Sequence, residues 1–498
     1  MNENDVLNAT PEIQRPSHLS LRVRDTAATR KKWIVFSLVA IAVFMSTLDT
    51  SIVNIALPVM MKDLKAPLTT IEWVPMIYLL TVSSLLLPFG RLSDIKGRRW
   101  VYCRGFFTFS IASLLCGLAP NAMCLITARS LQGIAAAMLM ACSPALVVDT
   151  FPVSERGKAL GAVGTVVAAG LTAGPLLGGL IIHSFPWRFI FFINIPIGIV
   201  SAILALRILK DDKGDFDSQE RFDWKGTLIL AIGLSLFIYV ISNAYAWTLT
   251  SARTISLLVT SIIFIVLFLK IEKRMENPIF QTSLLKIRLF LIPLLSALIL
   301  YASLFTVVFL MPFYLVYPYG LSINKVGYTM AIPFAFLFFI SPISGYISDR
   351  TGSRTLCTLG MLVIAIALFS LSYITPSHGY FFVAAPLALV GIGTGIFVSP
   401  NNSTVMSAIP QVQRGVASGT VAASRNLGMA IGVAISGLIF NSIFHSLSGG
   451  LELHNYKPEL EPVFMTAFRW AMLAGGFVAL TGMIVSSSRG PEKARIHQ

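Results

Sequence analysis

Fourteen apolar runs of about 17 residues or more recur along this sequence, and they constrain the fold more than any other feature. A helix rises about 1.5 Å per residue, so each run can cross a hydrocarbon core of roughly 30 Å. Only 12% of the residues are charged and 55% are hydrophobic, unlike a soluble domain. We therefore predict an all-α membrane protein with spans at about residues 33–57, 73–90, 100–119, 121–148, 158–182, 187–209, 226–246, 253–271, 288–316, 325–347, 355–375, 380–400, 415–444 and 463–486.

The basic residues fall mainly on one side of the expected membrane. If the N-terminus is cytoplasmic, five of the 38 lysines and arginines lie in loops on the other side, namely Lys62, Lys65, Arg253, Lys325 and Lys457. Cytoplasmic loops carry such an excess of Lys and Arg. This bias explains the formal charge of +15 without a nucleic acid partner and places both termini in the cytoplasm.

The sequence lacks the motifs of metal, thiol and nucleotide chemistry. The five cysteines lie in or beside expected spans without CxxC spacing, and the six histidines show no HExxH or paired spacing. No GxxxxGK[ST] phosphate loop occurs. We expect no metal, no cofactor, no ATP hydrolysis and no enzymatic activity.

An internal repeat joins elements that are eight spans apart. The segment GRLSDIKGRR at residues 90–99 matches GYISDRTGSR at 345–354, and RGKALG at 156–161 matches RGVASG at 414–419. Eight is an even displacement, so the two halves have the same orientation, as in transporters with parallel repeats. The expected arrangement is six helices, two inserted helices and six helices.

The expected domains follow from this repeat. The first span follows a polar leader of 32 residues and is too long for the apolar region of a cleavable signal, so we expect no signal peptide. The predicted units are a cytoplasmic tail at 1–32, a six-helix half at 33–209, a linker with two additional helices at 210–287, a second half at 288–486 and a tail at 487–498.

The repeated decapeptide predicts a conformational latch on the cytoplasmic side. Its glycines permit a tight turn, its cations hold the loop at the membrane face, and its carboxylate can bond a backbone donor or a cation. A loop that only sets topology would need the cations alone. The residues expected to act in the two copies are Gly90, Asp94, Gly97 and Arg98, and Gly345, Asp349, Gly352 and Arg354.

A series of ordered motifs resembles the Major Facilitator Superfamily and, within it, the fourteen-helix drug:proton antiporters. The resemblance covers about residues 33 to 486. The matching motifs are LDTSIVNIALP at 48–58, the loop at 90–99, RSLQGIAAA at 129–137, GLTAGPLLGG at 170–179, WRFIFFINIPIG at 187–198, FDWKG at 222–226 and RNLGMAIGVA at 425–434.

The resemblance implies a multi-pass protein of a bacterial inner membrane that exports hydrophobic or cationic drugs by alternating access, driven by proton entry. It implies protons and small molecules as partners, the lipid bilayer as environment, no cofactor and function as a monomer. A dedicated exporter of one endogenous metabolite, lipid precursor or siderophore would use the same scaffold, and a membrane receptor or enzyme is a more distant alternative.

Asp49 and Arg129 are the expected proton-coupling residues. A carboxylate inside an apolar helix costs several kcal/mol unless it is paired or protonated. The helical rise places Asp49 roughly 24 Å and Arg129 roughly 18 Å from the cytoplasmic end, about one turn apart. We expect Asp49 to carry the proton, and Arg129 to lower the pKa of Asp49 when it is near and to release Asp49 when the helices move apart. The alternative is a static ion pair that fixes the first helix against the fourth.

The fifth span carries a face of small residues with a proline, at Gly170, Gly174, Pro175, Gly178 and Gly179. Such a face is typical of close helix packing in membranes. The resemblance also implies an antiporter motif, a bending interface between the halves that prevents proton leak. The sequence does not separate these two interpretations.

Several residues are candidates for the wall of a substrate cavity. Arg425 lies about 15 Å into the thirteenth span, where a cation needs a partner or water. An aromatic stripe in the ninth span could stack on a flat lipophilic cation, although such stripes often face lipid. The candidates are Asn54, Tyr301, Phe305, Phe309, Phe313 and Arg425. We assign no chemistry to Glu72, His183 or Lys325 near the outer helix ends, although Glu72 could add a second proton site.

Overall fold

A computed structural model describes residues 18–152, 155–209, 223–247, 251–275, 282–410 and 414–490. Within these ranges, fourteen helices are long and apolar enough to span a membrane, which confirms the predicted number. They are α1 (Lys32–Asp63), α2 (Leu68–Lys96), α3 (Arg98–Leu118), α4 (Ala122–Thr150), α5 (Arg156–Ser184), α6 (Phe189–Ile208), α7 (Trp224–Asn243), α8 (Ala252–Glu272), α9 (Arg288–Val316), α10 (Ile323–Thr351), α11 (Ser353–Ser372), α12 (Tyr380–Ser407), α13 (Gly415–Leu447) and α14 (Pro458–Ser487).

Two of the spans consist of consecutive helical segments. In α2 the segments Leu68–Ile71 and Trp73–Lys96 meet at Glu72, and in α6 the segments Phe189–Phe192 and Asn194–Ile208 meet at Ile193. Upstream of its membrane-spanning part, α1 is continuous from His18.

The two copies of the repeated loop have the same backbone conformation. Gly97 has φ 91° between α2 and α3, and Gly352 has φ 83° between α10 and α11. L-residues with side chains rarely adopt positive φ, so each tight turn requires glycine. The repeated sequence therefore produces a repeated backbone turn.

The packing of the helices also repeats after a displacement of eight spans. In the first half α1 packs on α5, α2 on α4, and α3 on α4 and α6. In the second half α9 packs on α13, α10 on α12, and α11 on α12 and α14. The halves meet in two equivalent interfaces, α5 with α10 and α13 with α2.

The inserted helices lie beside one of these interfaces. Helix α7 packs against α2 and α13, and α8 packs against α7. The pair is therefore attached to the α2–α13 interface.

Because the number of spans is even, residues 18 and 490 lie on the same side of the bundle. We call this side the terminal face and the other side, which carries Lys65, Ser184 and Gly449, the opposite face.

Near the opposite face α5 touches α10, where a Cβ on Gly179 would lie 3.0 Å from the Gly327 Cα. Gly161 lies about five turns earlier on the same side of α5. Among the described residues no atom lies within 4 Å of a Cβ built at Gly161. The α5–α10 interface is therefore closed at the opposite face and open towards the terminal face.

Candidate functional site

A buried ion pair joins α1 and α4 in the middle of the first half. The Arg129 guanidinium binds the Oδ2 atom of Asp49, and both residues are 0% exposed. Asp49 lies 17 residues after Lys32 and 14 before Asp63, so it is more than about 20 Å from either end of the span. The structure thus brings together the two residues that the depth estimate placed one turn apart.

Two amide side chains complete the surroundings of the carboxylate. Gln132 donates from Nε2 to Asp49 Oδ1 at 2.9 Å, and its own Oε1 accepts from Arg129 at 2.6 Å. Asn194 of α6 donates to the same Asp49 Oδ1 at 3.4 Å. The carboxylate is held by donors from two other helices, α4 and α6, and hydrogen bonds to its charged form stabilise that form.

Arg129 is also fixed to α2. Its Nε donates to the Val74 carbonyl at 3.2 Å, and its guanidinium lies 4.3 Å from the centroid of the Tyr78 ring. The Tyr78 hydroxyl in turn donates to the Ser46 carbonyl on α1 at 3.1 Å. Both charge and packing therefore orient Arg129 towards Asp49.

Sequence reasoning missed Gln132, Asn194 and Tyr78 as members of this site. Gln132 follows Arg129 by three residues, which places the two side chains on the same helix face. That spacing was the signal available for Gln132. Asn194 and Tyr78 come from α6 and α2, and uncharged side chains in apolar helices give no comparable signal.

The glycines of α5 pack directly against the part of α1 that carries Asp49. A Cβ at Gly170 would clash with the Thr47 side chain, and one at Gly174 would clash with Ser51. Ser51 also donates to the Gly170 carbonyl at 3.3 Å. At Gly178 the contact is with Ile52, and at Gly179 and the Pro175 carbonyl it is with Gly327 of α10. Close packing is thus present, and the leak-blocking role stays a prediction.

The two latch loops differ in their side-chain contacts. Arg98 forms an ion pair with Asp149 of α4 and lies 3.6 Å from Asp94. Both contacts remain inside the first half. In the second copy Asp349 and Arg354 are exposed, and neither forms an ion pair with another described residue. Neither Gly90 nor Gly345 has positive φ, and the latch function stays a prediction.

The aromatic stripe of α9 lies inside the protein and not against lipid. Tyr301 is 8% exposed and Phe305, Phe309 and Phe313 are 1% or less, which excludes the lipid-facing alternative in this conformation. Phe309 and Phe313 pack edge to face with centroids 5.7 Å apart. The stripe is packed here, and its contact with cargo stays a prediction.

The polar cavity candidates carry atoms without protein partners. Asn54 is 1% exposed and donates to the Thr50 carbonyl at 2.8 Å, but its Oδ1 has no partner among the described residues. Arg425 is half-buried and lies beside the Tyr301 hydroxyl, and its Nε has no partner in the described chain. No acidic residue lies within the predicted spans of the second half, and no described acidic residue forms an ion pair with Arg425.

Glu72 is not the ordinary interfacial side chain that its position near a helix end suggests. It is 0% exposed at the junction of the two segments of α2. Helices that are distant in sequence bury the Glu72 side chain. The position of Glu72 relative to the end of its span could not predict this burial.

Comparisons with known proteins give the family of this chain. The sequence model described as "Major Facilitator Superfamily" matches residues 39–433. The Riboflavin transporter RibZ of Clostridioides difficile is 35% identical over 83% of this chain and 89% of that protein. The Multidrug resistance protein Stp of Mycobacterium tuberculosis is 29% identical over 85% of this chain and 78% of its own length.

A solved structure confirms the fold expected from the motifs. The bacterial homologue of the human lysosomal transporter Spinster, inward-facing and unoccupied, superposes with a TM-score of 0.65 at 14% identity. The likeness covers 92% of this chain and 96% of that one. Together with the fourteen helices, these matches show that the chain is a multi-pass membrane transporter that belongs to the Major Facilitator Superfamily.

Proposed function

We propose that this transporter exports hydrophobic or monocationic compounds, including drugs, in exchange for protons. The observation that carries the proposal is the buried pair of Asp49 and Arg129. A carboxyl near the middle of the membrane is costly and is retained where it takes part in transport. The proton gradient is the proposed energy source, and no cofactor takes part.

We take Asp49 to be ionised in the conformation described, because it is paired with Arg129. Arg129, Gln132 and Asn194 all donate to it, and these bonds favour the charged carboxylate. Binding a proton requires Arg129 to move away, because a neutral carboxyl gains much less from the cation. Arg129 and the proton are therefore alternative partners for the Asp49 carboxylate, and the exchange between them is coupled to a movement of α1 against α4.

The α5 glycines form the surface against which α1 would move. Helix α1 contacts α5 through Thr47, Ser51 and Ile52, which lie against glycines. Glycines let the two helices approach closely, so a movement of α1 is transmitted directly to α5. Rocking of the two halves then exposes the site to either face in turn.

The proposed orientation follows from the basic loops. The terminal face is the cytoplasmic face of the cell membrane, and both termini lie in the cytoplasm. The described conformation, closed at the opposite face, corresponds to the inward-facing state after proton release. The protein is proposed to act as a monomer, because one chain contains both halves of the fold.

A dedicated exporter of one endogenous compound is the second candidate function. The observation in its favour is the 35% identity to a protein named as a riboflavin transporter, compared with 29% to one named as a multidrug resistance protein. The ring system of riboflavin is planar, aromatic and uncharged, a feature that it shares with many drugs. The cargo therefore has to be determined directly.

Proteoliposomes with an acidic lumen and a pH-reporting dye test the proposal. Ethidium, a neutral aromatic drug and riboflavin are added separately to wild type, Asp49→Asn and the control Asp63→Asn. Asp63 is on the same helix but is exposed near the opposite face, where Trp187 and Arg188 bond to it.

Discharge of the gradient by ethidium and the neutral drug through wild type and Asp63→Asn, but not through Asp49→Asn, is the expected result. Discharge by riboflavin alone would favour the dedicated exporter. Equal discharge through Asp49→Asn would exclude Asp49 as the proton carrier.

A further inference from the structure

Glu72 lies where three parts of the fold meet. It belongs to α2 of the first half, and the Ser242 hydroxyl of the inserted helix α7 donates to its Oε1 atom. On its other side is α13 of the second half, where a Cβ at Gly437 would clash with the carboxylate. Glu72 therefore fills the α2–α13 interface near the opposite face.

The second oxygen of this carboxyl is not satisfied. Glu72 Oε2 has no hydrogen-bond partner among the described residues, and neither has Nδ2 of Asn441, one turn after Gly437 on α13. A buried ionised carboxylate without a cation costs several kcal/mol, whereas a neutral acid avoids most of that cost. Oε2 is the atom free to hold a proton, because Oε1 accepts from Ser242.

The described residues around Glu72 supply no compensating charge. From α7, Tyr239 packs on Trp73 with centroids 5.8 Å apart. From the first half, Arg129 reaches α2 at the Val74 carbonyl but pairs with Asp49. No described residue forms an ion pair with Glu72.

A small cavity lies near this region and has Asn441 in its wall. Its volume is about 10 Å³, close to that of one water molecule. The titratable groups facing it from α13 and the following loop are His445 and Glu452. Its walls are Thr69, Asn441, Phe444, His445, Leu451, Glu452 and Leu453.

We propose that Glu72 is a pH-sensitive lock on the opposite face of the transporter. The carboxyl is neutral while α2, α7 and α13 are closed around it, and it ionises when α2 and α13 separate and admit water. A proton from solution at the opposite face binds the carboxylate on closing and returns to the same side on opening. This proton is not transported, so Glu72 regulates the closing step without adding to the number of protons exchanged.

The proposal rests on the proposed function and gives α7 a role in it. Closing of the opposite face becomes easier as the pH there falls, which is the direction that lets an external proton return a proton-driven exporter to its inward-facing state. Ser242 holds Glu72 in place from the inserted pair. Helix α7 is thus the third helix of the lock, beside α2 and α13.

Distance measurements between spin labels test the lock without any cargo. Labels are placed on the exposed positions Lys65→Cys, before α2, and Ser446→Cys, at the end of α13. The purified full chain carries Cys124→Ala, because the other four cysteines are buried. Distances are recorded between about pH 5 and pH 9 for the otherwise wild-type chain and for Glu72→Gln, Ser242→Ala and Asp49→Asn.

The expected result is a single pH-dependent transition from short to long distances in the wild-type background. Glu72→Gln, which keeps the size and the bond to Ser242, stays at the short distance throughout. Ser242→Ala opens at a pH lower by about one unit, because it loses a hydrogen bond of the closed state. Asp49→Asn keeps the transition.

An unchanged transition in Glu72→Gln, or none in the wild-type background, would overturn the lock. If Glu72→Gln cannot be purified, an unchanged midpoint in Ser242→Ala would overturn it as well. Loss of the transition in Asp49→Asn alone would assign the pH response to the proton carrier and refute the lock. The lock is thereby distinguished from the proposed function, whose own test is gradient discharge by cargo.

Discussion

Gln132 bonds to both members of the central ion pair: it donates to Asp49 at 2.9 Å and accepts from Arg129 at 2.6 Å. The same Nε2 lies 3.0 Å from the Ser113 hydroxyl of α3. A neutral amide thus sets the relative position of two buried charges. Its contribution differs from theirs, because it stabilises the pair without carrying charge.

Gln132→Leu should raise, by about one unit, the pH at which half of the protein molecules have released the proton from Asp49. The substitution removes a donor to the ionised carboxylate, and a hydrogen bond to a charged group contributes about 1.5–3 kcal/mol. The pH profile of gradient discharge measures the shift. Ser130→Ala is the control, because this half-buried residue on the same helix bonds to the Thr127 carbonyl and not to the ion pair. Identical profiles for both variants would remove Gln132 from the site.

Arg129→Met should lower the free energy of unfolding by about 3 kcal/mol or more. The variant leaves the Asp49 charge buried without a cation, and breaking a buried pair by removing one partner costs about 3–5 kcal/mol. Adding Asp49→Asn to Arg129→Met should recover part of the loss, because no unpaired charge then remains. Thermal unfolding of the single and double variants in detergent measures both effects. Additive losses would show that the two residues act independently.

Position in the helix explains why sequence analysis located Asp49 and Arg129. Both are charged residues inside apolar runs, and the rise per residue fixes their depth without any tertiary information. The repeat likewise follows from matching segments, because equal displacement in sequence means equal topology. The fourteen spans, their order and the charged members of the site are accordingly accessible from sequence.

Glu72 and Phe309 show what sequence analysis could not supply. Glu72 is four residues into its span, where a carboxylate normally reaches water, and Ser242 and Gly437 bury it from helices far away in sequence. Phe309 could have faced lipid, cavity or core, because helical periodicity defines a face but not its neighbour. Which helices lie beside α2 and α9 is a property of the tertiary packing alone.

Gly327→Ala should open the contact between the halves at the opposite face. A Cβ at this position would lie 2.9 Å from the Gly179 Cα, and backbone atoms cannot rotate away as a side chain can. Overpacking costs about 1–3 kcal/mol, so the open population should rise roughly ten-fold. Spin labels on the exposed positions Ser184→Cys and Ser322→Cys, with Cys124→Ala, report the separation of α5 and α10.

Gly161→Ala is the matched control for Gly327→Ala. No described atom outside its own helical neighbourhood lies within 4 Å of a Cβ there, and alanine favours the helix. This variant should keep the short distance and the wild-type rate of gradient discharge. An equally short distance in Gly327→Ala would show that the glycine contact does not hold the opposite face closed.

The two latch loops should differ in their effect on the stability of this conformation. Arg98 pairs with Asp149 and lies 3.6 Å from Asp94, whereas Arg354 is exposed and forms no ion pair within the described part of the chain. Side chains with such exposure contribute only about 0.5–1 kcal/mol through an ion pair, and added salt screens part of that. Arg98→Gln should therefore lower the unfolding temperature slightly at low salt and less at high salt, while Arg354→Gln leaves it unchanged. Equal and salt-independent effects of the two variants would mean that the latch residues act through packing, since screening weakens an ion pair but not a van der Waals contact.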